Sequence, residues 1–292
     1  MALVLVCGAK GQVGSEVHEI LLQRGHKVIA AGHDTLDISE ENEVNAIFSS
    51  TRIDAVINCA AYTKVDLAED EESKAYAINA LGPKYLARAC KEADIPLVHI
   101  STDYVYDNNE SGPHVESENL NTRCVYGKTK LFGEKFITEN CDKYVILRAS
   151  WIFGPKGNNF VKAMLRLGKD RDELKVVSDE EGNPTPAWPL AEACVTLAER
   201  MLDKDFRHYG IYNYCGVPSI NRCDFARVIL THARELNLLD HEVTVSAILS
   251  RDFGAKARRP ADSRMSTEKF ITTFNTAVPD WQEYLDDTLT QA

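Results

Sequence analysis

Tyr126 and Lys130 stand four residues apart in the segment Y-G-K-T-K. On a helix that spacing puts both side chains on one face. A free tyrosine, with a pKa of about 10, is a poor acid–base group at neutral pH. An ammonium beside it favours the phenolate and lowers that pKa, so the phenol can exchange a proton with a bound molecule. Upstream, the apolar run Pro96–Ser101 ends in Thr102-Asp103-Tyr104. A hydroxyl at the carboxyl end of a parallel strand opens into the crevice where ligands of open α/β sheets bind. Thr102 there can donate a hydrogen bond to a carbonyl oxygen while Tyr126 protonates it. A Tyr-x-x-x-Lys pair arises often by chance, and its weight depends on what precedes it.

What precedes it is a glycine loop. Gly8, Gly11 and Gly14 form G-A-K-G-Q-V-G between a first apolar strand, Ala2–Cys7, and a first amphipathic helix, Gln12–Arg24. Glycines there let the backbone turn tightly and approach a pyrophosphate, which then sits at a helix N-terminus. The placement between strand and helix, more than the glycines themselves, points to a dinucleotide. Lys10 adds a positive charge beside the phosphates, or is a solvated loop residue. An acidic residue about 20 positions on would bind the adenosine ribose of NAD. Asp34 lies at that distance, but the second strand is expected to stop at Gly32–His33, and His33 either lies near a 2′-phosphate instead or is an exposed loop histidine. NADH and NADPH both stay open.

The elements that would carry these residues alternate. Strands are expected at Lys27–Ala31, Asp54–Asn58, Pro96–Ser101 and Tyr144–Arg148. Helices are expected at Glu41–Ser49, Glu72–Glu92 and about Val125 to Asn140. Alternating β and α segments imply parallel strands with helices on both faces, which explains continuously apolar strands. The expected fold is therefore α/β: a Rossmann-type doubly wound parallel sheet with a smaller C-terminal α/β substrate-binding domain. Trp151–Asn158 leaves the sheet as a Gly/Pro/Asn loop. Phe160–Leu167 resumes helical spacing, and Leu174–Val177 suits a strand. Gly182–Pro189 holds three prolines, which block continued helix. Leu190–Leu202, His208–Tyr214 and Asn221–Leu236 suit helix, strand and helix, and Ala255–Ser263 is a basic loop. No linker separates the halves. The expected division is residues 1–150 with a returning segment at about 186–214 for the dinucleotide domain, and 151–185 with 215–292 for the second.

The formal net charge of −11 and pI near 5.3 argue against non-specific binding to nucleic acid or an anionic membrane. No apolar run approaches the roughly 20 residues that span a bilayer. The eight cysteines form no C-x-x-C pair, so a zinc ribbon or thioredoxin-type site is not expected. Reduced thiols in a cytoplasmic protein are.

These motifs and their spacing resemble the extended short-chain dehydrogenases, and more closely the dTDP-4-dehydrorhamnose reductase family. The matching segments are Gly8–Gly14, L-D-I (Leu36–Ile38), N-C-A-A-Y-T-K-V-D-L-A-E (Asn58–Glu69) and I-N-A-L (Ile78–Leu81). H-I-S-T-D-Y-V-Y (His99–Tyr106) and V-Y-G-K-T-K-L-F-G-E-K (Val125–Lys135) follow. Leu147–Val161, G-N-P-T (Gly182–Thr185) and R-R-P-A-D-S (Arg258–Ser263) complete a match that runs nearly end to end.

The resemblance implies hydride transfer from NADPH or NADH to C4 of dTDP-4-dehydro-L-rhamnose, giving dTDP-L-rhamnose. Tyr126 would be the proton donor, Lys130 its support and a holder of the nicotinamide ribose, and Thr102 the carbonyl-binding hydroxyl. Lys10, Gly11 and Gln12 would hold the cofactor phosphates, and Gly8, Val13 and Gly14 would bind the cofactor beside them. Asp37 and Ile38 would flank the adenine, and Ala60, Ala61 and Tyr62 would line the channel. Thr102, Asp103 and Trp151 would meet the sugar. Arg258 and Arg259 would meet the diphosphate, since guanidinium pairs well with phosphate, or are surface charges. Thr122 and Glu180 depart from a proline and a glutamine usual in the family. Some members bind magnesium through glutamates at a dimer contact. Glu16 matches one such position but is read as an exposed helix residue, and no metal is expected; a homodimer stays open. A dehydratase would carry Glu where Tyr104 stands, and a 4-epimerase a Ser-Ser-Ala strand end. A reductase of another dTDP-4-keto-6-deoxysugar remains an alternative. So does a non-catalytic subunit like the regulatory one of methionine adenosyltransferase, against which Thr102, Tyr126 and Lys130 together argue.

Overall fold

The computed structural model describes residues 1–107 and 111–292. Its first half lays down β1 (Leu3–Cys7), α1 (Gln12–Gln23), β2 (Lys27–Ala31), α2 (Glu41–Ser50) and β3 (Ala55–Asn58). Two short helices, α3 (Val65–Ala68) and α4 (Glu72–Tyr76), run into a π-turn at Ala77–Leu81. Then come α5 (Gly82–Glu92), β4 (Leu97–Thr102), α6 (Val125–Asn140) and β5 (Tyr144–Ala149). The second half adds β6 (Ile152–Phe153), α7 (Phe160–Asp170), β7 (Glu173–Val177), β8 (Glu181–Gly182), β9 (Thr185–Pro186) and α8 (Ala187–Met201). It ends with β10 (Gly210–Asn213), β11 (Ile220–Asn221), α9 (Arg222–Glu235), β12 (Thr244–Ile248), α10 (Ser250–Phe253), α11 (Glu268–Phe274) and α12 (Leu285–Thr290).

The central sheet has six parallel strands in the order β2-β1-β3-β4-β5-β10. The chain runs outward from β1 to β2 and then crosses back to β3. The strand order reverses between β1 and β3, and the carboxyl ends there flank the crevice. Alternate residues feed opposite faces. Val4, Val6, Ala55, Ile57, Val145 and Leu147 pack with Val13, Val17, Ile20 and Leu21 of α1 and with Leu190, Cys194 and Leu197 of α8. Leu5, Cys7, Val56 and Ile146 pack with Val44, Leu86, Cys90 and Ile137 on the other face. Each fully buried aliphatic side chain contributes about 1.5–3 kcal/mol.

A separate core holds the second lobe. Phe225 of α9 lies against Trp281, and Val161, Leu165, Leu174, Ile229, Leu285 and Leu289 close around them. β12 runs parallel to β7 in a two-stranded sheet of this lobe. The chain leaves the main sheet after β5 and comes back to it with α8 and β10.

Two expected elements differ. The expected helix Glu72–Glu92 is interrupted by the π-turn, which carries the I-N-A-L motif. The helix expected from Leu190 begins at Ala187, so Pro189 lies within its first turn. A proline there forfeits no intrahelical bond, because the first N–H groups of a helix have no partner. Among the described residues all eight cysteines are free, and all but Cys59 are buried. No described helix is long and apolar enough to cross a membrane.

Candidate active site

The glycine loop closes on itself. The Gly11 N–H donates to the Gly8 carbonyl at 2.9 Å, and Gly8 adopts φ +73°. A Cβ on Gly8 would come within 2.7 Å of the Ala60 backbone nitrogen, and one on Gly14 would enter the Gly8 carbonyl. Gly11 caps α1 with no side-chain hydrogen bond. That leaves a bare helix N-terminus, the partial positive charge of which suits a pyrophosphate. The loop therefore fits the dinucleotide expected of it. Gln12 is held from the second lobe by Asn159 Nδ2 at 2.8 Å, and Val13 is buried in the α1 face of the core.

The flanking residues are placed as follows. Lys10 donates to Asp34 at 2.6 Å, both exposed, so the candidate for the phosphates and the candidate for the ribose are paired with each other. That pair pulls the Asp34 carboxyl below its ordinary value. His33 is exposed and lies 3.2 Å from Asp37. Asp37 accepts from the Ser39 hydroxyl and N–H, and Ile38 is buried against Gly82 at the start of α5. Ala60 and Ala61 are half-buried just past β3. Tyr62 donates to Glu71 at 2.8 Å, and burial with that carboxylate pushes its phenol up to about 12. Asn79 in the π-turn grips the Tyr62 backbone from both sides, accepting from its N–H at 2.7 Å and donating to its carbonyl at 3.1 Å. A π-turn at a functional site is a recurrent device; here it aims a buried amide at the segment after β3.

Thr102 is the last residue of β4 and Tyr126 lies in the first turn of α6. The Thr102 hydroxyl donates to Asp103 Oδ1 at 3.0 Å, and the rings of Tyr104 and Tyr126 meet edge to face at 5.2 Å. Burial raises the Tyr126 phenol above its ordinary value, with Thr102 beside it drawing it back. The net direction is upward, opposite to the lowering expected from the sequence. The Lys130 amine is bonded instead to the Ile100 carbonyl at 2.7 Å and to His99 Nε2 at 3.3 Å. A raised phenol stays protonated, which is the form a proton donor needs. Burial lowers Lys130 to about 8. Beneath it, Glu134 is tied to Arg148 at 2.7 and 3.0 Å in a buried pair.

Asp103 is 3% exposed, and its Oδ2 has no hydrogen-bond partner among the described residues. Burial pushes its carboxyl up to about 6, against the pull of Ser263, Thr102 and Arg222. Trp151, at φ +44°, backs onto Gly182. Its ring carries the Arg222 guanidinium 3.4 Å from the centroid. A sugar approaching that ring face would first meet the guanidinium, which the sequence did not single out. Arg258 is exposed. Arg259 donates to both oxygens of Asp66, at 2.8 and 3.2 Å. Lys256 pairs with Asp70. The basic loop is thus fastened to α3 and the segment after it. Asn58, Asn79, His99, Asn159 and Arg222 all escaped the sequence reading of the site. Only their membership in quoted motifs, for the first three and Asn159, could have drawn attention to them.

The family described as RmlD substrate binding domain matches residues 1–292. The dTDP-4-dehydrorhamnose reductase of Aggregatibacter actinomycetemcomitans is 40% identical over 286 residues, 98% of this chain and 97% of that protein. The chain belongs to the dTDP-4-dehydrorhamnose reductase family. The Escherichia coli K12 reductase is 37% identical over 282 residues, 96% of this chain and 94% of its own. The crystal structure of the Bacillus anthracis reductase in complex with NADP superposes with a TM-score of 0.91 at 34% identity, covering 100% of this chain and 99% of that one. Against the dTDP-4-dehydrorhamnose reductase pattern, Thr122 is buried against Gly127 in the first turn of α6. Glu180 is buried 4.0 Å from Arg222. Glu16, expected to be exposed, is 3% exposed and accepts from Lys156 at 3.0 Å. The loop leaving β6 folds back over α1 and covers it. Among the described residues no group of three or more His, Cys, Asp or Glu is placed to hold a metal.

Proposed function

We propose that this chain reduces the C4 ketone of dTDP-4-dehydro-L-rhamnose to give dTDP-L-rhamnose, using NADPH or NADH. The observation that carries the reading is the convergence of Thr102, Tyr126 and Lys130 at the carboxyl end of β4, beside the glycine loop, in a chain of this family. The bound nicotinamide supplies a hydride to the carbonyl carbon. The chain's own groups handle the oxygen. Thr102 donates to the ketone oxygen and orients it. Tyr126, kept as a neutral phenol by burial, gives its proton to that oxygen as negative charge develops there. Lys130 holds the nicotinamide ribose and supports the phenolate that results. Gly8, Lys10, Gly11, Gln12, Val13 and Gly14 seat the pyrophosphate, Asp37 and Ile38 flank the adenine, and Ala60, Ala61 and Tyr62 line the channel.

Asp103, with its unpartnered oxygen, accepts from a sugar hydroxyl, Trp151 packs at the sugar's edge, and Arg259 faces the diphosphate. Residues 1–150 with 186–214 form the cofactor domain, and 151–185 with 215–292 the nucleotide-sugar domain. The protein works in the cytoplasm on a small molecule, with neither nucleic acid nor membrane as partner. The test is oxidation of NADPH and of NADH with dTDP-4-dehydro-L-rhamnose generated in situ. Rapid oxidation that disappears in Tyr126→Phe is expected. A folded protein that binds cofactor but oxidises neither with this sugar, while turning over another keto sugar, would replace the substrate.

A further inference from the structure

Lys130 is 2% exposed, and one of its two partners is a histidine with a constrained ring. His99 is buried in β4. Its Nε2 faces Lys130 Nζ at 3.3 Å, and its Nδ1 faces Asn58 Nδ2 at 3.1 Å. The orientation of the Asn58 amide is not arbitrary. Its Oδ1 accepts from the Ala60 N–H at 3.0 Å, and a backbone N–H can only donate. The amide NH2 is therefore the group turned toward the ring. A neutral imidazole has one donor and one acceptor. The amide NH2 occupies the acceptor at Nδ1, so the ring proton must sit on Nε2, pointing at Lys130. An ammonium has donors only and meets a second donor there. An amine has a lone pair to receive it, and can still donate to the Ile100 carbonyl.

We propose that Asn58, acting through the Nε2–H tautomer of His99, is a positioning pair that biases Lys130 toward its amine form, making it a group that exchanges protons and not a fixed charge. The proposal rests on the reading of Lys130 as the support of Tyr126. After Tyr126 has passed its proton to the substrate oxygen, a lysine ammonium can restore the phenol, its Nζ–H bond breaking as the Oη–H bond re-forms. The amine left behind is the state that the Asn58–His99 pair accepts, until a solvent proton replaces the one given up. The other groups facing the lysine fit this role. On its own helix Glu134 is neutralised by Arg148 of β5, and Tyr126 is a neutral phenol. From the segment past β3, the Cys59 thiol is pushed up to about 12 by burial and stays uncharged. His99 is driven well below its ordinary value by burial and then by the lysine, so its ring is neutral.

The experiment reads the histidine directly. In protein labelled with 15N in its histidines, two-bond proton–nitrogen correlations report which ring nitrogen carries the proton, with His99 assigned by its loss in His99→Gln. A wild-type ring protonated on Nε2 alone is expected; one protonated on Nδ1, or on both nitrogens, overturns the proposal. Asn58→Asp keeps the shape and the acceptor for Ala60 but turns an oxygen toward the ring. There the proton should move to Nδ1, and the Lys130 titration, followed through 13Cε-labelled lysine, should rise by about one pH unit or more. A raised titration with an unmoved tautomer overturns the proposal, because the added charge alone would produce it. Neither readout needs turnover. A protein inactive on every keto sugar but carrying the Nε2–H ring loses the reductase reading and the proton return built on it, and keeps the Asn58–His99 bias on Lys130. An active reductase with an Nδ1–H ring loses this inference alone.

Discussion

Asp103 and Lys130 are two ionisable side chains that the fold holds against their solution preference. The Asp103 carboxyl lies at about 6 in the folded protein, above the roughly 3.9 of an unfolded chain. The folded state binds this proton more tightly, so stability falls as pH rises from about 4 to about 6 and stays lower at neutral pH. Asp103→Asn should therefore raise the unfolding free energy at pH 7.5 by about 1–3 kcal/mol in a urea titration, with the gain fading below pH 4. A loss of stability would show that the ionised carboxylate is better paired than its orphaned oxygen indicates. The same variant should raise KM for the sugar. Lys130 is the mirror case. Its folded value of about 8 lies below that of an unfolded lysine, so its cost is full below pH 8 and is relieved as pH climbs toward 10.5. Lys130→Met should abolish most turnover and weaken cofactor binding in a fluorescence titration, yet leave thermal stability at pH 7 equal or higher. Tyr, Lys and Thr were legible in the sequence because their spacing along one strand end and one helix turn is local. The partners of Arg259 and His99 were not. Asp66 and Asn58 come from distant segments, and nothing in the spacing of either pair announces a meeting.

At the scale of elements, the alternation of strand and helix was legible from apolar runs and turn residues, and β1, α1, β3 and α6 fall within a residue or two of expectation. The π-turn was not, because an extra residue inside a helix changes the hydrophobic phase too little to be seen. Its function shows only in the contact it allows. A Cβ on Gly133 of α6 would enter the Asn79 carbonyl, so α6 presses directly on the turn. The glycine loop makes a sharper demand. In Gly14→Ala the new methyl group would have to displace the Gly8 backbone. The loop should lose its grip on cofactor by about an order of magnitude, and ~1.4 kcal/mol of misfit is enough for that. Isothermal titration with NADPH and NADH checks it; unchanged affinity would mean that the backbone here yields more readily than its contacts imply.

Across the whole molecule, the two lobes are joined by charges as well as by chain. Arg259 and Lys256 reach α3 and its neighbour from the far lobe. The exposed Lys256–Asp70 pair contributes only about 0–1 kcal/mol, while the half-buried, bidentate Arg259–Asp66 pair is the firmer of the two, so the loop is held chiefly at one point. Asp66→Ala should therefore speed amide hydrogen exchange across residues 255–263 and raise KM, with kcat and the melting temperature little changed. A matching fall in kcat would place the loop in the chemical step. The return of the chain to its first sheet has a different consequence, for the order in which the protein is made. β5 gains its outer neighbour only from β10, and α1 gains its companion on the same face only from α8. A ribosome that has finished the cofactor-binding motifs has therefore made a sheet with one open edge and one half-bare face, and must synthesise a large part of the second lobe before either is covered. Any product that stops short of residue 210 would carry the open strand edge, and one that stops short of residue 187 the apolar face as well, as a standing invitation to aggregate.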